Sequence, residues 1–183
     1  WRDALDSAPS LLELPSDRPR PAIKTYAGGR TPLRLDERTV EGARTLARSA
    51  GSTLFVPLLT AFAVVLARLT DETDVVVGVP FSGRTRLEVE DLVGCFVNTL
   101  PVRVDLGGDP TFVELAQRVW SALLAAHERQ DFPFERLVQE LAPDRSLAHT
   151  PIFQHALVLQ ESGHPAPPLA GLDVRYVRVD RPI

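Results

Sequence analysis

VGCFVNTLPVR, residues 93–103, is the stretch on which a reading of this chain turns. Phe96, Val97, Leu100 and Val102 favour a pleated, buried surface, so the run is expected to be a strand that continues to Leu106. Gly94 removes a side chain where something approaches closely, and Pro101 removes a donor from the ladder. Two uncharged polar residues, Asn98 and Thr99, stand in its middle. A buried amide without partners costs about 1–3 kcal/mol, so Asn98 must find hydrogen bonds or face a wet cavity. Two readings stand: a hydrogen bond within an ordinary sheet, or a strand whose middle lines a channel. Cys95, between Gly94 and Phe96, is expected to be an inert packing thiol rather than a nucleophile.

Upstream, PFSGRTRLEVEDLVG (residues 80–94) reads as a loop with a short charged insert. Arg84 and Arg86 there could bind a phosphate, although isolated arginines on a surface loop are more often solvated. Residues 75–79 are a continuous apolar run, the pattern of a strand covered on both faces. Before it, Ser52 or Thr53 should open a helix to about Leu69, apolar almost all round and therefore central. Asp36 is a good N-cap for a helix through Ala50, with Val40, Ala43, Leu46 and Ala47 on one stripe and Gly51 as the stop. Residues 31–35 alternate and predict a short strand. Residues 7–30 carry four prolines and two glycines, an extended connector pinned to a groove by Leu11, Leu12 and Leu14. Residues 1–5 finish a helix.

Downstream, Asp109 as cap and Pro110 at the first helical position start a helix to about Glu128, with Phe112, Leu115, Ala116, Val119, Leu123 and Ala126 on its apolar stripe. In RQDFPFERLVQEL (residues 129–141), Pro133 separates two elements, and Phe134, Leu137, Val138 and Leu141 face inward. Residues 153–160 predict a strand, residues 161–171 a proline-rich loop, and residues 173–180, with neither face purely apolar, an edge strand or one missing its partner rather than a central one.

With 183 residues, 44% hydrophobic and 24% charged, the chain fits one ordinary globular domain, or two halves of something small. A net charge of −4 without a basic cluster argues against nucleic acid. One cysteine excludes an intramolecular disulfide and fits a reducing, cytoplasmic setting. The apolar run at 54–69, broken by Pro57, Thr60 and Arg68, suits a buried helix rather than a membrane span. With no secretory leader and no methionine, the sequence reads as a piece of a longer polypeptide. Phosphate loops of the GxxxxGK[ST] or GxGxxG type, a GxSxG elbow and zinc spacings are all absent. His127 is expected to be a half-buried histidine at a helix end, not a general base. No catalytic constellation and no metal set are contained in the chain itself.

Several segments taken together carry a resemblance. VGCFVNTLPVR resembles the GxFVNT-type motif of condensation domains from non-ribosomal peptide synthetases, RQDFPFERLV their (H/N)QDxPFE motif, and DRSLAHTPIFQ their RDxSxxPLFQ motif. GVPFSGR resembles their GxPxxGR loop, and WRDAL…LELPSDRPRP the segment joining the two lobes of that family. Five collinear matches are specific where any one alone is weak.

The resemblance implies an α/β, chloramphenicol-acetyltransferase-like fold: two related lobes, each a mixed sheet packed with helices, and a tunnel between them. Residues 1–30 would be the interlobe connector and residues 31–183 the C-terminal lobe. The family joins a donor acyl group to an acceptor amine, both carried as phosphopantetheine thioesters on carrier domains, so no cofactor would be bound directly. Its HHxxxDG motif is absent here, which implies no catalytic residue in this piece and no condensation by it alone. Partners would be peptidyl carrier domains, the N-terminal lobe and adjacent synthetase domains, with neither nucleic acid nor membrane. Asn98, Thr99, Ser82 and Arg84 would lie at the tunnel; Gln130, Asp131, Pro133, Phe134 and Glu135 would brace the lobe, Asp131 capping the helix that follows. Arg129 stands where His or Asn is usual, Ser146 replaces Asp and Ala148 replaces Ser, with loss of a local cap or salt bridge the expected consequence. The alternatives are a condensation-like domain that recruits a partner protein or carrier without catalysis, and an epimerization domain.

Overall fold

The computed structural model describes residues 1–25, 27–141, 146–160, 171, 172 and 174. Its architecture follows from one strand, β1 (Asp74–Phe81), whose residues 75–79 are all buried. β1 is flanked on one side by antiparallel β2 (Asn98–Asp105), in a register that runs from Asp74 opposite Asp105 to Phe81 opposite Asn98. On the other side lies a two-residue parallel strand, β3 (His155–Ala156). A continuous apolar run needs cover on both faces, and both are covered. One face packs on α3 (Phe55–Thr70) and α5 (Phe112–His127), through Leu59, Ala63, Val119 and Leu123 against Val75, Val77 and Val79. On the opposite face the Phe153 ring packs closely on Gly78, where a Cβ would meet the ring at 2.3 Å. Phe153 also stacks on Phe134 at 5.1 Å, at the start of α6 (Phe134–Leu141), which packs on β2.

The remaining elements are α1 (Arg2–Leu5), α2 (Glu37–Ser49) and the short α4 (Leu87–Glu90). Asp36 caps α2, its carboxylate accepting from Thr39 N at 2.7 Å, and Gly51 follows with a φ of +59°. The described residues of the connector between α1 and α2 form no helix or strand, yet Leu12 is buried in the main core. Gln154 holds it there, accepting from Leu12 N at 2.8 Å and donating to Ser10 O at 3.1 Å. Arg103 grips Asp74 through two donors at 3.0 and 2.6 Å and donates to Asp6 O at 2.7 Å, so one side chain ties β2, β1 and the end of α1 together. Hydrogen bonding to Asp74 raises the Arg103 pKa above its already high ordinary value.

Several expectations are corrected. The strand expected from residue 93 starts at Asn98, because β1 ends at Phe81 and no partner backbone remains for residues 93–97. Cys95 is exposed rather than packed. Residues 31–35 form no strand, and Leu33 there is 86% exposed. The cap of α5 is Thr111, not Asp109: Thr111 N donates to Glu114 Oε2 at 2.8 Å and Glu114 N to Thr111 Oγ1 at 3.3 Å, a reciprocal capping box. α3 is not buried all round, since Val65 and Leu69 stay half exposed. β3 is far shorter than residues 153–160. The strand expected at 173–180 and most of the loop before it lie outside the described residues.

Candidate functional site

Asn98 opens β2, and its side chain reaches across to the segment between α5 and α6. Nδ2 donates to Gln130 O at 2.8 Å and to Phe132 O at 2.9 Å, while Oδ1 accepts from Phe134 N at 3.2 Å. Both donors are thus matched to carbonyls of the QDFPF turn, and the acceptor takes the first amide of α6. The amide is half-buried, and its polar demand is met by backbone 32 to 36 residues away. It also borders a cleft of about 400 Å³ with a largely polar lining. Asn98 and Thr99 form one side of that cleft, Gly83 and residues 95–97 a second, and Gln130, Asp131, Pro133, Phe134 and Glu135 a third. Neither reading holds in its original form: Asn98 opens β2 rather than standing in its middle, its bonds leave the sheet for the segment between α5 and α6, and it borders a cavity.

Ser82 and Arg84 are not among the residues around this cleft. Ser82 is exposed, its hydroxyl accepting from Arg84 N at 3.4 Å. The Arg84 guanidinium turns toward its own loop, donating to Val89 O, to Glu90 O at 3.1 Å and to Gly94 O at 3.2 Å. The guanidinium is thus engaged by its own loop, in a residue that is half-buried. Gln130 is buried and donates to His127 O at 3.0 Å. The exposed carboxylate of Asp131 makes no hydrogen bond to the described residues, and Pro133 O instead takes the amides of Arg136 and Leu137 in the first turn of α6. The cap expected of Asp131 is thus not made. At the third motif a turn bond survives the replacements, Ala148 N donating to Ser146 Oγ at 3.1 Å.

A second cavity, of about 460 Å³, lies beyond Phe81 and is more apolar, with Phe55, Trp120, Leu123 and Leu157 in its walls and His127 at its rim. His127 is exposed rather than half-buried; its ring packs 5.8 Å from Phe81, and Nδ1 is 3.0 Å from Gln130 Nε2. Sequence reasoning missed this cavity. Its walls are residues whose apolar character core packing explains equally well. Among the described residues no cluster of His, Cys, Asp and Glu could hold a metal ion, and no helix is long and apolar enough to cross a membrane.

A family model, the condensation domain, matches residues 1–169. One of the proteins that make up the linear gramicidin synthase of Brevibacillus parabrevis is 45% identical over 174 residues, covering 95% of this chain and 3% of that protein. The chain therefore spans only a small part of the curated relatives it matches. A four-domain nonribosomal peptide synthetase bound to AMP and glycine superposes with a TM-score of 0.82 and 31% identity, over 85% of this chain and 12% of that one. The complex of the X-domain and OxyB from teicoplanin biosynthesis gives a TM-score of 0.80 and 34% identity, over 85% and 34% of the two chains.

Proposed function

This chain belongs to the condensation-domain family, and from that premise we propose that it is the C-terminal lobe of a domain that forms amide bonds in a non-ribosomal peptide synthetase. Its fold is the α/β, chloramphenicol-acetyltransferase-like fold of that family. In this reading residues 1–30 are the connector and residues 31–183 the lobe. The amine of one carrier-bound aminoacyl group attacks the thioester carbonyl of another; the C–N bond forms, the C–S bond breaks, and the amine proton leaves with the thiol. Phosphopantetheine arrives on the carriers as part of the substrates, in the cytoplasm. The partners are those carriers, the N-terminal lobe and the neighbouring synthetase domains.

One observation carries the reading: Asn98 binds the FVNT segment to the QDFPF turn and leaves a polar cleft between them. These residues hold and orient; none of them is an acid–base pair or a nucleophile with its base. The chain by itself therefore makes no amide bond. The test supplies loaded donor and acceptor carriers to the full-length synthetase and, separately, to this chain alone. Product from the former and none from the latter is expected; product from the isolated chain overturns the assignment of catalysis to another lobe.

A second reading has one observation in its favour, the likeness to an X-domain solved in complex with OxyB. There the complete domain would recruit a partner protein and catalyse nothing, and a full-length synthetase that binds its carriers yet yields no amide would support it. The epimerization alternative predicts inversion of the carrier-bound residue instead.

A further inference from the structure

Between β1 and β2 the chain makes an excursion, residues 82–97, that forms one wall of the Asn98 cleft. Apolar burial does not hold this wall in place. Leu87 is 80% exposed, Val93 wholly so, and Leu92, Cys95 and Val97 also face solvent. Two other features do hold it. At its mouth the strand ends are pressed together: Gly83 has a φ of +66°, and a Cβ there would sit 1.9 Å from Phe96 O. Inside, Arg84 bridges three carbonyls, those of Val89, Glu90 and Gly94, and its guanidinium lies 4.6 Å above the Phe96 ring.

We propose that Gly83 and Arg84 act as a clamp that fixes the 82–97 excursion as a wall of the Asn98 cleft, making Arg84 a positioning residue for what enters there. A loop without buried apolar contacts opens at low cost unless specific bonds close it. A point charge cannot replace the clamp, because lysine lacks the planar fork that meets several carbonyls together. The kinetic half of this inference rests on the amide-forming reading above; the structural half does not.

The experiment uses the full-length synthetase and its Arg84→Ala, Arg84→Lys and Gly83→Ala variants. Hydrogen exchange is followed in peptides covering residues 86–97, with β1 and β2 as internal references, alongside steady-state amide formation from loaded carriers. Arg84→Ala and Gly83→Ala are expected to speed exchange in 86–97 by about tenfold or more while β1 and β2 stay protected. KM for the carrier-bound substrate should rise about tenfold with kcat within about threefold, and Arg84→Lys should recover only part of either loss. Unchanged exchange in 86–97, loss of protection throughout β1 and β2, a fall in kcat at constant KM, or a released loop with unaltered kinetics would each overturn the proposal. If the parent synthetase makes no amide at all, the amide-forming reading fails, and the exchange data still decide whether the clamp exists.

Discussion

Asn98 meets a polar demand from within an apolar run. An amide entering such a run needs two acceptors and a donor, and the need was legible in FVNT because an unmet amide is costly. Its partners were not, since Gln130, Phe132 and Phe134 are brought to it only by the fold. Asn98→Ala removes three bonds from a half-buried site and should cost about 1–3 kcal/mol of stability. Asn98→Asp sets a carboxylate oxygen against two carbonyl oxygens, so at pH 7 its melting temperature should fall below that of Asn98→Ala; thermal melts of both variants check this. Arg84 marks the limit of reading by motif. A conspicuous arginine in GVPFSGR invites a role at the substrate, whereas the fold turns the guanidinium into its own loop.

Among the elements, the long helices were legible to within a few residues, the short α4 was read as loop, and of the strands only β1 was read near its true place. α2 and α5 carry their periodicity and most of their end signals within themselves. β2 begins where β1 runs out of backbone to pair, which no local pattern reveals. Thr111 is a cap hidden by its neighbours, because GGDP just before it has the form of a complete start signal. That cap has a pH signature. The Thr111 amide, then its hydroxyl, donate to the Glu114 carboxylate and lower its pKa below the ordinary range. A carboxylate lowered on folding stabilises the fold above its unfolded pKa and loses that contribution as pH falls through the folded one. The stability gap between the parent and Glu114→Gln should therefore be full at pH 7, shrink below about pH 4 and close in stronger acid. Denaturant melts across that range check the sign. Asp36, lowered first by the Thr39 amide, acts in the same direction at α2.

At the scale of the whole molecule, Phe81 and His127 help line the apolar cavity and Gln130 the polar cleft, with His127 in contact with both Phe81 and Gln130. The polar one was legible only as separate motifs: Ser82 and Arg84, expected at a tunnel, do not line it, whereas Gln130, Asp131, Pro133, Phe134 and Glu135, expected to brace the lobe, do. The apolar one was not, because its walls are ordinary core residues in ordinary periodicity. The family and its fold followed from five collinear motifs, whereas the arrangement of the cleft followed from none of them. The central claim is that the cleft at Asn98 belongs to an amide-forming site. Single-turnover amide formation by the full-length synthetase, with both carriers loaded and Asn98→Ala compared with the parent, tests it most directly. A drop in rate of about tenfold or more, in protein still folded at the assay temperature, is the expected result; product formed at the parent rate would contradict it.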